Sequence, residues 1–311
     1  MKYKFLTACI VVSALCALFS NCGTLASIMD DGASIIDDGA QQVVGATGAI
    51  GQNAVTAVNN SRIAIASAAE EITPEQEYYI GRAVGAQILS TYLIWNGSPA
   101  LTAYLNRICS AIVINSPKPE IYNSYCVMIL DSEEINAFAT SGGHIFVTRG
   151  LIASARSEDA LASVIAHEIA HIQLQHSIKA IRTSRITQAI MITGASAAGA
   201  VTGNDVNEMT GIFNETVGDI VSTLVNNGYS QSQEFDADNL ALSLLASAGY
   251  NPSGLIDMLR ELDRVQGRQP GGFNRTHPTP ARRLANAERI LNRYRVSDTS
   301  SYRRARFEAM R

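Results

Sequence analysis

Cysteine and long hydrophobic runs are scarce in this chain of 311 residues. Three of the five cysteines precede residue 23, and the spacing of the other two, Cys109 and Cys126, does not indicate a metal site. In an oxidising compartment these two could form a disulfide, and the sequence leaves that open. The uncharged, mostly apolar runs at 5–19 and 186–201 contain 15 and 16 residues, whereas a membrane span needs about 20. We therefore expect neither run to span a membrane.

Histidine is also scarce, yet two of the five histidines form a His-Glu-Ile-Ala-His motif, His167 to His171, around Glu168. On a helix, residues four apart lie on one face a turn apart, so both imidazoles can reach the same metal ion. Two nitrogen ligands suit zinc and leave coordination positions open, while the adjacent carboxylate can act as general base on a water that the metal activates. The alternative is a surface helix whose two histidines are merely solvated.

Signals around the motif predict a helix. Ser157 is a candidate N-cap, two acidic residues follow it in the first turn, and neither glycine nor proline occurs between residues 157 and 182. His176 lies about 140° round such a helix from His171, so we do not expect it to share the metal. The metzincin pattern requires glycine at 174 and histidine at 177, where this chain has leucine and serine, so that pattern is excluded.

A third protein ligand has to come from elsewhere in the chain, and Glu234 is the best candidate. Glu234 and Asp238 are four apart on a predicted helix that runs to about residue 247. This spacing lets Glu234 bind the metal while Asp238, one turn further on, accepts a ring N–H from a metal-binding histidine. The alternative is an ordinary acidic helix start, which the helix dipole favours without any ligand. The upstream motif makes the ligand interpretation the better one.

Four blocks of sequence, in the same order, resemble the gluzincin metallopeptidases of peptidase family 48. That family includes the CAAX prenyl endopeptidases, the HtpX-type proteases and the mitochondrial Oma-type proteases. The resemblance covers roughly residues 73–295 and is greatest to the periplasmic or lipoprotein branch. The blocks are Asn136-Ala137-Phe138-Ala139 with Gly142-Gly143-His144-Ile145-Phe146-Val147 and Gly150-Leu151, then His167-Glu168-Ile169-Ala170-His171, then Glu234-Phe235-Asp236-Ala237-Asp238, and last Thr276-His277-Pro278-Thr279-Pro280 with Arg283.

The resemblance implies one zinc ion per chain, held by His167, His171 and Glu234. It also implies that Glu168 is the general base and later the acid. His277 would point into the site and stabilise the oxyanion, or would cap the zinc in a resting state. Two further residues are expected to orient charged groups or ligands of the site: Asp238 and Arg283.

Residues 1–21 are interpreted as an export signal, because two lysines precede the apolar run. We expect Cys22 to be the lipidated first residue of the mature chain, although Asn21 departs from the small residue that usually precedes such a cysteine. The alternative is a soluble product cleaved nearby. Either outcome places the protein in the periplasm or cell envelope, and lipidation of Cys22 would add a lipid anchor as its contact with the membrane. Residues 22–72, rich in Ala and Gly, are predicted to be a spacer.

The catalytic domain is predicted to span residues 73–295. By the family resemblance, the strand that contains His144 is an edge strand beside the cleft, which fits an extended substrate bound by strand addition. We interpret His144 itself as a strand residue and not as a ligand. The remaining expectations are helices at 74–92, 99–114 and 252–265, strands at 122–131 and 143–148, a mobile lid at 202–227 and a basic tail at 296–311.

The last thirty residues, 282–311, carry nine arginines against three acids. Such a basic patch can attract nucleic acid or anionic lipid. Because the whole chain has a net charge of −4, we interpret it as a solvated helix face and expect no nucleic-acid partner.

The predicted fold is a single, mainly helical α+β domain of the zincin-like type, with a small β-sheet and the motif helix at its centre. The predicted function is a zinc-dependent endopeptidase of the cell envelope that cleaves misfolded or misassembled envelope proteins. The alternative is an envelope lipoprotein whose closed zinc site makes it a chaperone-like binding module. Four protein ligands would close such a site, whereas a catalytic site leaves one position free. Polypeptides are the expected partners, and the sequence sets no oligomeric state.

Overall fold

Helices dominate the described elements, and three short strands interrupt them. The computed structural model describes residues 72–179, 218, 220–222, 228–266, 276–277, 280–294 and 300–310, all within one unit formed by 71–184 and 204–311. In chain order the elements are α1 (Pro74–Leu89), α2 (Pro99–Ile114), β1 (Cys126–Leu130), β2 (Ala137–Ala139), β3 (His144–Thr148), α3 (Arg149–Ser154), α4 (Glu158–Gln173), α5 (Gln231–Ser247), α6 (Ser253–Gln266), α7 (Pro280–Leu291) and α8 (Ser300–Met310).

Several predicted segments lie outside the described residues. These are the export signal with Cys22, the spacer up to residue 71, the apolar run at 186–201 and most of the predicted lid at 202–227. None of the described helices combines the length and the apolar character that a membrane span requires.

Helix α4 carries the His-Glu-Ile-Ala-His motif and lies at the centre of the core. Its N-cap is Ser157, whose side chain accepts a hydrogen bond from the Ala160 N–H, as the sequence predicted. Every residue of α4 except Asp159 is buried, because α2, α5, α6, α8 and β2 all contact it. The helix ends at Gln173, earlier than the absence of glycine and proline suggested. Its functional side chains are therefore held inside the protein.

The sheet has the strand order β1-β3-β2. β3 pairs in parallel with β1 and antiparallel with β2, so the strand that contains His144 is the central one. The expectation that this strand is an edge strand is wrong. β2, which was not predicted as a separate strand, borders the sheet next to α4. β1 begins at Cys126 and not at residue 122, because Ser124 has a left-handed backbone (φ 60°) that interrupts an extended strand.

Local signals explain where α5 begins and ends. Ser230 forms a capping box with Gln233 at its start. At its end Gly249 adopts a positive φ of 78°, and the Tyr250 N–H donates to the Leu245 carbonyl, which closes the helix. The helix then packs its buried face against α4, while α7 packs against both α5 and α6. The structure thus confirms a mainly helical α+β domain with the motif helix at its centre.

The C-terminal helix α8 packs against the start of α4. Its Arg303 is buried and forms an ion pair with Asp159 at 2.8 Å, and Arg306 pairs with Glu158. Phe307 is buried in the core beside them, while most of the remaining described α8 residues are exposed. Part of the predicted basic tail therefore joins the domain through two acids of α4 that also favour its N-terminus electrostatically.

Candidate metal centre

Four side chains from three segments converge on one point in the core. Their candidate ligand atoms all lie within 4.8 Å of one another. The Nε2 atoms of His167 and His171 are 3.0 Å apart, and the Nδ1 of His277 lies 3.1 Å from the Oε1 of Glu234. All four side chains are buried. The structure therefore brings together the three predicted metal ligands and adds His277 as a fourth.

Helix spacing and packing explain this convergence. His167 and His171 lie one turn apart on α4, and Glu234 faces them from the first turn of α5. His277 precedes α7, and its position is tied to its surroundings through its neighbour Thr276. The Thr276 hydroxyl donates to the Oδ1 of Asn136 at 3.1 Å, and its carbonyl accepts from the Tyr229 N–H at 3.2 Å. These two bonds link His277 to the start of β2 and to the start of α5.

Asp238 and Arg283 lie beside this group. The Oδ1 of Asp238 is 3.0 Å from the Nδ1 of His167, which suits acceptance of a ring N–H. Arg283 donates to both Asp238 oxygens, at 2.8 and 2.7 Å, and its Nη1 lies 2.9 Å from the Oε2 of Glu234. This guanidinium is buried, so its planar fork neutralises two carboxylates out of contact with water.

These contacts determine which side chains of the candidate metal centre are charged at neutral pH. Burial and Arg283 both lower the pKa of His167, but hydrogen bonds with Asp238 and Glu234 raise it overall to about 9. Burial raises the pKa of Glu234 and of Asp238, but the Arg283 guanidinium and the neighbouring histidines together outweigh it and hold both pKa values below their usual range. Both carboxylates are therefore ionised at neutral pH, as metal ligands and their partners must be.

Glu168 occupies a different environment. Its Oε1 is buried and has no hydrogen-bond partner, and the Nε2 of His277 lies 3.5 Å away. Burial raises the pKa of Glu168, although the positive charges of His277 and His167 oppose that rise. A carboxyl with a raised pKa beside a group of metal-type ligands has the properties of a general base and acid.

Sequence reasoning missed two residues that hold His171. Tyr229 stacks on its ring with a centroid distance of 4.1 Å and an interplanar angle of 18°. The Nδ1 of His176 lies 2.9 Å from the Nδ1 of His171. Burial and the positive charge of His167 lower the pKa of His171 well below its ordinary value. The helix period predicted that His176 would lie on a different face of the helix from His171. No local sequence signal indicated Tyr229.

The other candidates lie away from this group. His144 in β3 is 3.1 Å from the Thr140 hydroxyl and stacks on Tyr78, in line with its interpretation as a strand residue. Cys109 and Cys126 are both free, so the disulfide that the sequence left open is not formed in this structure.

A divalent metal ion fits the group on its donor chemistry and its charge. Imidazole nitrogens and a carboxylate oxygen are the ligands that zinc takes in proteins. When the histidines are neutral, as metal ligands must be, and all three buried carboxylates are ionised, these carboxylates and the Arg283 guanidinium together carry a net charge of −2, which a divalent cation would neutralise. The carboxylates are Glu168, Glu234 and Asp238. The unpartnered Oε1 of Glu168 is a further sign of a missing polar neighbour.

Comparison with known proteins identifies several relatives of this chain. The beta-barrel assembly-enhancing protease of Yersinia pestis is 27% identical over 258 residues, which cover 79% of this chain and 50% of that protein. The metalloprotease LoiP of Escherichia coli K12 is 31% identical over 191 residues, covering 60% of this chain and 70% of that protein. The mitochondrial metalloendopeptidase OMA1 of Schizosaccharomyces pombe is 25% identical over 206 residues, covering 64% of this chain and 56% of that protein.

The chain spans about half the length of the beta-barrel assembly-enhancing proteases that it matches. The sequence model of peptidase family M48 matches residues 99–291, which is more than half of this chain. This match includes α2 to α7 and every residue of the candidate metal centre. The family and the names of the relatives support a metalloendopeptidase. The resemblance seen in the sequence is confirmed, and the chain belongs to peptidase family M48.

Proposed function

We propose that this protein is a zinc-dependent endopeptidase of the cell envelope. The observation that carries the proposal is the convergence of His167, His171 and Glu234 beside Glu168, whose buried Oε1 has no hydrogen-bond partner. A structural metal site needs ligands only. A carboxyl with a raised pKa next to the ligands is what peptide hydrolysis requires in addition.

Each residue of the centre has a distinct task in this proposal. His167, His171 and Glu234 would hold the zinc, which supplies Lewis acidity that polarises the scissile carbonyl and promotes attack by water. Glu168 accepts a proton from the attacking water and passes it to the leaving amine nitrogen. Asp238 keeps the His167 ring in place through its contact with the Nδ1 atom of that ring. The positive charge of Arg283 favours the ionised forms of Asp238 and Glu234.

The proposed substrates are misfolded or misassembled envelope proteins. The name of the beta-barrel assembly-enhancing relatives supports this class, because it refers to proteins that are being assembled. Strand addition of an extended polypeptide, first expected at β3, is proposed at β2, the border strand next to α4. Residues 137–139 of β2 and the metal centre are buried, so a polypeptide reaches either of them only after a rearrangement.

The position of His277 favours a second candidate function, a catalytically restrained zinc protein that acts as a chaperone-like binding module. His277 belongs to the group of four candidate ligands, and four protein ligands leave no position for a substrate. In the endopeptidase proposal His277 has to leave this position, after which its ring can donate to the oxyanion. The two proposals therefore predict different effects on peptide cleavage when His277 is replaced.

The remaining proposals concern location. The export signal at 1–21, the lipidated Cys22 and the spacer would place the domain on a membrane of the envelope. The names of the relatives support an envelope location. The proposal of a lipid anchor rests on the sequence pattern around Cys22 alone. The basic face of 282–311 is proposed to be solvated, without a nucleic-acid partner.

Casein cleavage by the purified, zinc-supplemented protein tests the function. We expect Glu168→Gln to lower the rate by about 10²–10⁴-fold, because it removes the general base while zinc stoichiometry stays near one. Glu133→Gln changes an exposed carboxylate, 76% accessible, and should cleave like the unmodified protein. Tight zinc binding without cleavage by any of the three proteins would contradict the endopeptidase. In that case, cleavage gained by His277→Ala would show that His277 had restrained an endopeptidase, whereas continued tight zinc binding without cleavage would favour the binding module.

A further inference from the structure

His176 is buried directly beside His171, and the proposed reaction assigns it no task. The two Nδ1 atoms are 2.9 Å apart and the two ring centroids 4.9 Å. Only 2% of His176 is exposed. The opposite nitrogen of His171, Nε2, faces His167 Nε2 at 3.0 Å within the candidate metal centre. His171 is thus contacted at both of its ring nitrogens.

The chain makes an unusual turn to place His176 there. α4 ends at Gln173, and Gln175 adopts a left-handed backbone with φ 55°, a conformation that residues other than glycine rarely adopt. Contacts hold the turn in place: the Gln175 side chain donates to the Oε2 of Glu77, and the Gln175 carbonyl accepts from the Lys179 N–H. The turn places the His176 ring against His171 in the last turn of α4.

The contact between the two Nδ1 atoms requires one proton, and its place can be deduced. A metal ligand presents a lone pair to the ion, so the Nε2 of His171 carries no proton when it acts as a ligand. The proton of neutral His171 is then on Nδ1, which donates to the Nδ1 of His176. A neutral His176 ring that carries its own proton on Nε2 presents a lone pair at Nδ1, and this lone pair accepts the hydrogen bond from His171.

We propose that His176 is a positioning residue that fixes the tautomer and the ring orientation of His171 for the metal. This inference rests on the proposed function of the site. It gives each metal-binding histidine its own acceptor, since Asp238 lies at the Nδ1 of His167. The neutral acceptor also leaves the charge balance of the centre unchanged, whereas a second carboxylate would add a negative charge to it. Tyr229 holds the face of the same His171 ring by stacking.

Zinc affinity of the full chain, measured by competition with a chromophoric chelator, tests this role without any substrate. We expect His176→Leu, which removes the acceptor, to weaken zinc binding by about 10–100-fold. His176→Asn should bind zinc nearly as the unmodified protein does, because its Oδ1 occupies the place of Nδ1 and can accept the same hydrogen bond. His144→Leu is the matched control, since it removes a half-buried histidine outside the metal centre, and it should leave the affinity unchanged.

The visible spectrum of the cobalt-substituted protein gives a second readout, because it reports ligand geometry. The spectrum of His176→Leu should differ from that of the unmodified protein, and the spectrum of His176→Asn should be the same as that of the unmodified protein. If His176→Leu does not fold, His176→Ser replaces it, since serine is too short to reach His171. Equal zinc affinity and equal cobalt spectra in the acceptor-free variant and the unmodified protein would overturn the role of His176 alone. Failure of the unmodified protein to bind zinc would overturn this role and the proposed function together.

Discussion

Arg283 is the buried cation that keeps the metal centre folded when no metal ion is bound, and Arg283→Met tests this. The variant leaves Glu234 and Asp238 in the core without their guanidinium partner. Removing one partner of a buried ion pair costs about 3–5 kcal/mol. For a domain of this size, that lowers the melting temperature by about 6–20 °C. Arg282→Met is the matched control, because exposed Arg282 contacts only Gln231 among the described residues and its loss should cost less than about 0.5 kcal/mol.

Urea unfolding of the metal-free proteins measures the difference. The pKa values of Glu234 and Asp238 are held below those of the unfolded chain, so both carboxylates stabilise the fold above about pH 4.5 and lose that contribution as pH falls. The gap between Arg283→Met and the unmodified protein should therefore narrow at acid pH. Zinc should stabilise Arg283→Met more than the unmodified protein, because the ion supplies the positive charge that Glu234 has lost. If Arg283→Met unfolds at the same urea concentration as Arg282→Met at neutral pH, the reasoning is refuted.

Two further predictions concern packing and protons. Gly81→Ala should destabilise the protein by more than about 2 kcal/mol, because its Cβ would lie 1.3 Å from the Ser141 carbonyl oxygen. Gly249→Ala meets no atom within 4 Å and should cost only the roughly 1–2 kcal/mol of its positive φ, which urea midpoints of both variants will check. In the metal-free protein, hydrogen bonds with Asp238 and Glu234 raise the pKa of His167 to about 9, so this ring is mostly protonated at pH 7.5. Zinc binding should then release at least about one proton per ion at pH 7.5 and fewer at pH 10; a pH indicator that shows no release at pH 7.5 would contradict this.

Short-range signals explain why the helices of the site could be predicted. Ser157 before two acids and Ser230 with Gln233 three residues later each satisfy free N–H groups of a first helical turn, and the structure uses both as N-caps. The four-residue spacing within each helix then decides which side chains share a face. Because the family resemblance supplied the pairing of these two helices, the members of the metal centre could be anticipated before any distance was known.

The sheet could not be predicted in the same way, because strand order is decided by contacts between distant segments. β2 has only three residues, 137–139, too few for an alternating pattern to be recognised. All three are buried, and their pairing with β3 depends on the turn at Gly142 and Gly143, both at positive φ. The sequence therefore indicated two strands and assigned the border of the sheet to the wrong one.

The placement of His176 shows how a correct local rule can miss a contact of the site. A continued helix would carry His176 about 140° away from His171. The helix instead stops at Gln173, and Gln175 takes a left-handed conformation that its own sequence does not favour. That conformation is stabilised by the hydrogen bond from Gln175 to Glu77 on α1, nearly a hundred residues earlier in the chain. The acceptor for His171 is thus placed with the help of a contact between Glu77 of α1 and the turn that follows α4, so the orientation of this metal-binding histidine depends on tertiary folding.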